Sequence, residues 1–167
     1  MEEKFLQTEE PEAERNLPFR TRRNSNSSSA VKSFAEFDVV VLKSRNAFVK
    51  LEKLKSKKII DQLFNEGKSV SNNRFTLVYL IQSLDTFYPA QVGFSVSKKL
   101  FKNAVDRNRI KRLMREAYRL HKTAFYQTLA GKKQQMAMMF IYKGKSLPSH
   151  MEVAKAILNC LNKVFKT

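Results

Sequence analysis

Residues 103–119 read NAVDRNRIKRLMREAYR, with six cations, Arg107, Arg109, Lys111, Arg112, Arg115 and Arg119, set among Ile110, Leu113, Met114 and Ala117. Guanidinium groups offer planar forks that match phosphate oxygens, so the chemistry on offer is recognition of a phosphate backbone. At helical spacing, Ile110, Leu113, Met114, Ala117, His121, Ala124 and Thr128 share one arc about 100° wide. Lys111, Arg112, Arg115, Arg119 and Lys122 share another, roughly opposite, with Arg107 and Arg109 at the edges. One face docks on a core and the other presents cations. Residues 98–122 hold 10 of the chain's 32 basic residues against two acids, Asp106 and Glu116. The row Arg107, Lys111, Arg115, Arg119 places four like charges at i,i+4, which repel unless an anion lies along them.

Candidates for bond-making chemistry are few. Residues 51–167 contain seven carboxylates, Glu52, Asp61, Glu66, Asp85, Asp106, Glu116 and Glu152, and no two form an adjacent or DxD-like pair suited to two metals. His121 falls on the apolar arc, and His150 stands beside an expected helix cap. The single cysteine, Cys160, lies among Ile157, Leu158 and Leu161 and reads as a core thiol with no disulfide partner. The residues thus point to binding, with no catalytic side chain and no protein-held metal.

The rest of the chain must position that helix. Its 167 residues carry a net charge of +17, with a sequence pI of about 10.1. Residues 1–50 have 9 Lys/Arg and 8 Asp/Glu, whereas residues 51–167 have 23 and 7. A polyanion-binding domain is therefore expected over 51–167, with a polar, Ser/Asn-rich extension over 1–50 whose first 30 residues read as disordered. FDVVVL (37–42) is a possible short strand. SKKIIDQLFNEG (56–67) reads as a helix capped by Ser56 and ended at Gly67. RFTLVYLIQ (74–82) and PAQVGFSVS (89–97) read as strands joined by a hairpin-like turn, with KSVSN (68–72) as a further short strand. The long helix spans about 103–130, with Asn103 as its cap. QQMAMMFIYK (134–143) is a buried strand, and 146–165 is a last amphipathic helix capped by Ser146 or Ser149. The order α-β-β-(β)-α-β-α indicates an α+β fold, a mixed sheet with helices packed against it as one layer pair. No apolar run reaches membrane-spanning length, and the acidic N-terminus lacks an apolar signal core, so a cytoplasmic setting is expected.

VGFSVSKK followed by NAVDRNRIKRLMREAYR closely resembles the signature of the bacterial ribonuclease P protein subunit. The matching residues are Gly93, Ser97-Lys98-Lys99, Asn103-Ala104-Val105, Arg107-Asn108-Arg109-Ile110-Lys111-Arg112 and Arg115-Glu116. The resemblance covers about residues 51–165. It departs from the family pattern in two places. Three residues, Leu100-Phe101-Lys102, stand where the family usually has two, so the turn before the helix must differ locally. Ile60 stands where the family often carries a second aromatic, one turn before Phe64.

The resemblance implies a ribosomal S5 domain 2-like fold with a left-handed βαβ crossover, where pattern alone would give the common right-handed one. It implies a ribonucleoprotein endonuclease that removes the 5′ leader of precursor tRNA by hydrolysis, the chemistry being done by an RNA subunit with Mg²⁺ bound mainly by that RNA. It assigns Lys98, Lys99, Asn103, Arg107, Asn108, Arg109, Lys111, Arg112, Arg115 and Arg119 to RNA binding. It assigns Phe64 and Phe94 to a cleft for the single-stranded leader, although a helical Phe64 packed in the core is the commoner outcome. The partners implied are the catalytic RNA and the precursor's leader, without a membrane.

Composition alone allows a ribosomal or other structural RNA-binding protein equally. A stand-alone nuclease would cut precursor without RNA and depend on one acid or histidine. A membrane-surface protein fits poorly, because the basic helix lacks a bulky apolar face for insertion. Deleting residues 1–48 is expected to leave folding and stimulation of cleavage close to those of the full chain.

Overall fold

A computed structural model describes residues 47–166. The expected disorder over 1–30 and the strand at 37–42 lie outside the described residues. After a short 3₁₀ turn at Lys50–Glu52 come α1 (Lys57–Glu66), β1 (Lys68–Ser71), β2 (Phe75–Ile81), β3 (Ala90–Val96), α2 (Ala104–Gly131), β4 (Met136–Tyr142) and α3 (His150–Val164). The four strands form one mixed sheet in the order β1-β2-β4-β3, parallel only between β3 and β4. This is the α+β class read from the sequence, with KSVSN supplying the further strand.

The central strand β4 is apolar on both sides, and it organises two cores. Met136, Met138, Phe140 and Tyr142 face α2 and α3, whereas Ala137, Met139 and Ile141 face α1. Helices therefore cover both faces of the sheet, where a single layer pair was expected. A strand with apolar residues at every position is what a sheet covered on both sides requires.

The hairpin expected between β2 and β3 is absent, because β4 is inserted between them. The two strands do run in opposite directions, as hairpin strands do. The pairings that separate them join residues 46 to 67 positions apart, and no local sequence signal marks them. Residues 82–89 instead cross to the far side of β4. Gln135 holds that crossing: its Oε1 accepts from Leu84 N at 2.8 Å, and its Nε2 donates to the carbonyls of Thr86 at 2.8 Å and Tyr88 at 3.1 Å.

Caps follow the sequence in part. Ser56 Oγ accepts from Ile59 N at 3.5 Å, and Ser149 forms a reciprocal capping box with Glu152. Gly67 ends α1 without a left-handed turn, since its φ is −72°. It is small because the chain doubles back closely there: an added Cβ would lie 2.1 Å from the Leu63 carbonyl oxygen.

Residues 47–50, counted with the extension in the sequence reading, pack against the domain. The Phe48 ring meets Phe94 at 5.8 Å and Tyr118 at 5.9 Å, both edge-on, and Lys122 donates to the Ala47 carbonyl. A chain lacking residues 1–46 retains every one of these contacts, and its thermal midpoint is expected to match the full chain's. Deletion through Phe48 should cost about 1–3 kcal/mol, the scale of burying an aromatic side chain. Thermal unfolding of the two truncations side by side checks this.

Candidate RNA interface

α2 carries the cationic residues, and its buried stripe rotates along its length. Ile110, Met114 and Ala117 are buried in the first half, then Tyr118, Lys122, Phe125, Tyr126 and Leu129 in the second. Ala124 and Thr128, expected on the packed arc, are exposed, and His121 is half-buried. Lys122, expected on the cationic arc, is 1% exposed. The stripe turns because residues 47–52 cover that side of the helix and bring a carboxylate to Lys122.

The row of four cations is also partly neutralised. Arg107 turns back to the preceding turn, its Nη1 donating to the carbonyls of Phe101 at 2.8 Å and Lys102 at 2.6 Å. That turn is the one lengthened by a residue. Phe101 is buried against Tyr142, with ring centroids 5.9 Å apart, so the longer turn is anchored by an aromatic below and an arginine above. Arg119 forms a two-pronged pair with Glu116, at 2.9 and 2.7 Å, which holds the Glu116 carboxyl below its usual range. Arg115 Nε donates to the Lys111 carbonyl at 3.2 Å. Asn103 does not cap a backbone N–H; its Nδ2 faces Asp106 Oδ2 at 3.4 Å.

Asn108, Arg109, Arg112 and Arg115 stay exposed, and Lys111 is half-buried. Among the described residues no carboxylate pairs with Arg109 or Arg112. With Val105, Asn108 and Leu113 these two arginines line a hollow of about 340 Å³. Val105 is 77% exposed, an apolar rim beside cationic forks. Lys98 lies in the turn that leads to the helix and Lys99 is exposed there, its N–H donating to Ser97 Oγ at 3.2 Å. The arrangement can hold phosphates while offering an apolar contact.

Phe64 and Phe94 are not brought together. Phe64, on α1, is 52% exposed and so is not a core residue. Phe94 stacks on Phe140 at 5.8 Å in the core beneath α2, on the opposite face of the sheet. Strand parity decides this: Gly93 lies beneath Met139 on the α1 face, so its neighbour must point the other way. The β3 residues that share the α1 face are Gln91 and Ser95, both half-buried. α1 lies over β2 and β4 and does not reach β3. Exposed Lys55, Lys57 and Lys58 stand at the entry to α1. Five lysines fall within residues 50–58, a local signal for a second cationic patch.

The model of the family Ribonuclease P matches residues 48–166. The chain belongs to the ribonuclease P protein family. It is 38% identical over 111 residues to the ribonuclease P protein component of Chlorobaculum tepidum, covering 62% of this chain and 72% of that one. To that of Porphyromonas gingivalis it is 33% identical over 115 residues, covering 69% and 84%. The solved structure of the Staphylococcus aureus RNase P protein superposes with a TM-score of 0.56 at 25% identity, over 69% of this chain and 96% of that one. The Thermotoga maritima RNase P protein shares the fold with a TM-score of 0.54 at 24% identity, over 66% and 96%. The family match ends at the last described position, residue 166, and it opens at Phe48, the ring that packs under α2.

Burial pushes the Cys160 thiol up to about 11, so it stays protonated near neutrality. Arg74 pairs with Glu152 at 2.5 Å beside the start of α3.

Proposed function

We propose that the chain is the RNA-binding protein of a ribonuclease P, which assists a catalytic RNA in removing the 5′ leader of precursor tRNA. The carrying observation is that Arg109 and Arg112 stand exposed and without a carboxylate on the Arg-Asn-Arg helix of a chain in this family. In this reading the outer face of α2 takes phosphates of the catalytic RNA. The opposite side of the sheet, with Phe64, Gln91, Ser95 and the lysines before α1, takes the single-stranded leader. Hydrolysis belongs to the RNA, with Mg²⁺ held there. Among the described residues no three His, Cys, Asp or Glu side chains gather as a metal site. Among the described residues no helix is long and apolar enough to cross a membrane.

The deciding experiment is cleavage of precursor tRNA at low Mg²⁺ by a bacterial catalytic RNA, with and without this protein. Strong stimulation by the protein supports the reading. RNA binding without any effect on cleavage would identify a structural RNA-binding protein, and correct cleavage by the protein alone would place the chemistry in the chain.

Phe64 gives a sharper prediction. Half exposed, it contributes little to the core, and stacking on a base is worth about 1–3 kcal/mol. Phe64→Ala should weaken binding of leader-bearing precursor by that amount and leave mature tRNA and the thermal midpoint unchanged. Equal losses for both RNAs would remove Phe64 from the leader's path.

A further inference from the structure

The most deeply buried charges lie far from the exposed arginines. Glu52 is 0% exposed and Lys122 is 1% exposed. Glu52 Oε1 accepts from Lys122 Nζ at 2.5 Å and from Tyr126 OH at 2.7 Å, and Oε2 accepts from Val49 N at 2.8 Å. Tyr126 OH in turn meets Tyr118 OH at 3.2 Å, and Lys122 also donates to the Ala47 carbonyl. Immediately afterwards the chain changes sides. Lys53 runs parallel to Val92 at the outer edge of β3, and Leu54 N donates to the Val92 carbonyl at 3.1 Å. The Leu54 side chain joins Leu63 in the core beneath α1. Within residues 48–54 the backbone therefore wraps the edge of β3, passing from the α2 face to the α1 face, and α1 begins at Lys57.

Apolar packing is non-directional and tolerates sliding. A charged, hydrogen-bonded cluster is directional, and the best-attested use of a buried ion pair is to fix register. Neither Glu52 nor Lys122 is exposed enough to touch RNA, so any effect of theirs on RNA handling must pass through position. We propose that the Glu52–Lys122–Tyr126 cluster is a registry tie that sets where α1, and with it Phe64, stands relative to the cationic face of α2. The inference rests on the two-faced reading given above. It makes Glu52 and Lys122 positioning residues.

The test uses the full chain reconstituted with catalytic RNA, in two variants. E52L/K122M removes both charges while keeping apolar bulk, and Tyr126→Phe removes the hydroxyl's two hydrogen bonds, to Glu52 and with Tyr118, and leaves the ion pair. Three quantities are read: affinity for the catalytic RNA, the affinity ratio of leader-bearing precursor to mature tRNA, and hydrogen exchange at the Leu54 amide. The double variant should bind catalytic RNA within about twofold of wild type. Its precursor preference should fall about tenfold, a change of about 1.4 kcal/mol. Its Leu54 amide should exchange faster. Tyr126→Phe should move the same quantities in the same directions by less, and it decides the matter if the double variant does not fold. A folded variant with a loosened Leu54 amide and wild-type precursor preference would overturn the tie alone. A wild-type holoenzyme with no leader preference would overturn the functional reading and the tie together.

Discussion

Replacing Arg109 and Arg112 together with alanine should cut affinity for the catalytic RNA and flatten its salt dependence in the same variant. Each phosphate contact contributes about 0.7–0.9 to the slope of log affinity against log salt, so two lost contacts remove about 1.4–1.8. Between 50 and 200 mM salt, wild type should then lose about tenfold more affinity than the double variant. The fold should survive, because both side chains point away from the buried Ile110, Met114 and Ala117. Arg107 is a poorer target than its place in the motif suggests. It braces the Phe101 and Lys102 carbonyls, so Arg107→Ala would mix a loosened turn with a lost cation. Titrating the RNA at four salt concentrations separates the cases. Unchanged affinity and slope in the Arg109/Arg112 variant would end the assignment of this face to RNA.

The largest stability effect is expected at Lys122. Removing one partner of a buried ion pair strands the other, at about 3–5 kcal/mol. Lys122→Met keeps the aliphatic stem but leaves the Glu52 carboxylate with only Tyr126 and the Val49 N–H. For a domain of this size that corresponds to a drop in thermal midpoint of about 10–20 °C. Adding Glu52→Leu should recover most of it, because a well-packed apolar pair replaces a buried ionic one at little cost. The Arg74–Glu152 pair makes the contrast: its side chains are 31% and 43% exposed, and water screens them, so breaking it should move the midpoint little. A midpoint for Lys122→Met within 3 °C of wild type, by calorimetry, would show that the pair is not buried as described.

What the sequence disclosed depended on how local the signal was. The long helix, its cationic face, the strand at 136–142 and the Ser56 cap are written in residues three or four apart, or alternating. Lys122 falls on the cationic arc by helical angle, which says which side of the helix a residue occupies, not what covers it. Its partner Glu52 is seventy residues upstream. Likeness places Phe94 in the cleft, but a strand's parity overrides likeness, and Gly93 takes the α1 face. The missing hairpin has the same origin, since β2 and β3 owe their places to a strand that comes forty residues after β3 ends. Phe64 was legible as a choice between core and surface, and only its neighbours could settle it.

That late strand also dictates an order of assembly. β4 hydrogen-bonds to β2 on one side and β3 on the other, yet it is the last strand to be synthesised. Until Tyr142 has been made, the β1–β2 ribbon and β3 each have an open inner edge, and Leu77, Val92 and their neighbours lack the side chains that cover them. Long-range closure of this kind slows folding, and unpaired edges invite association between chains. The nascent protein is therefore most vulnerable when its cationic helix is already complete. An RNA engaged by that helix before β4 arrives would meet a chain whose sheet is still in two pieces, so the stretch from Met136 onward decides whether the binding face has anything rigid to stand on.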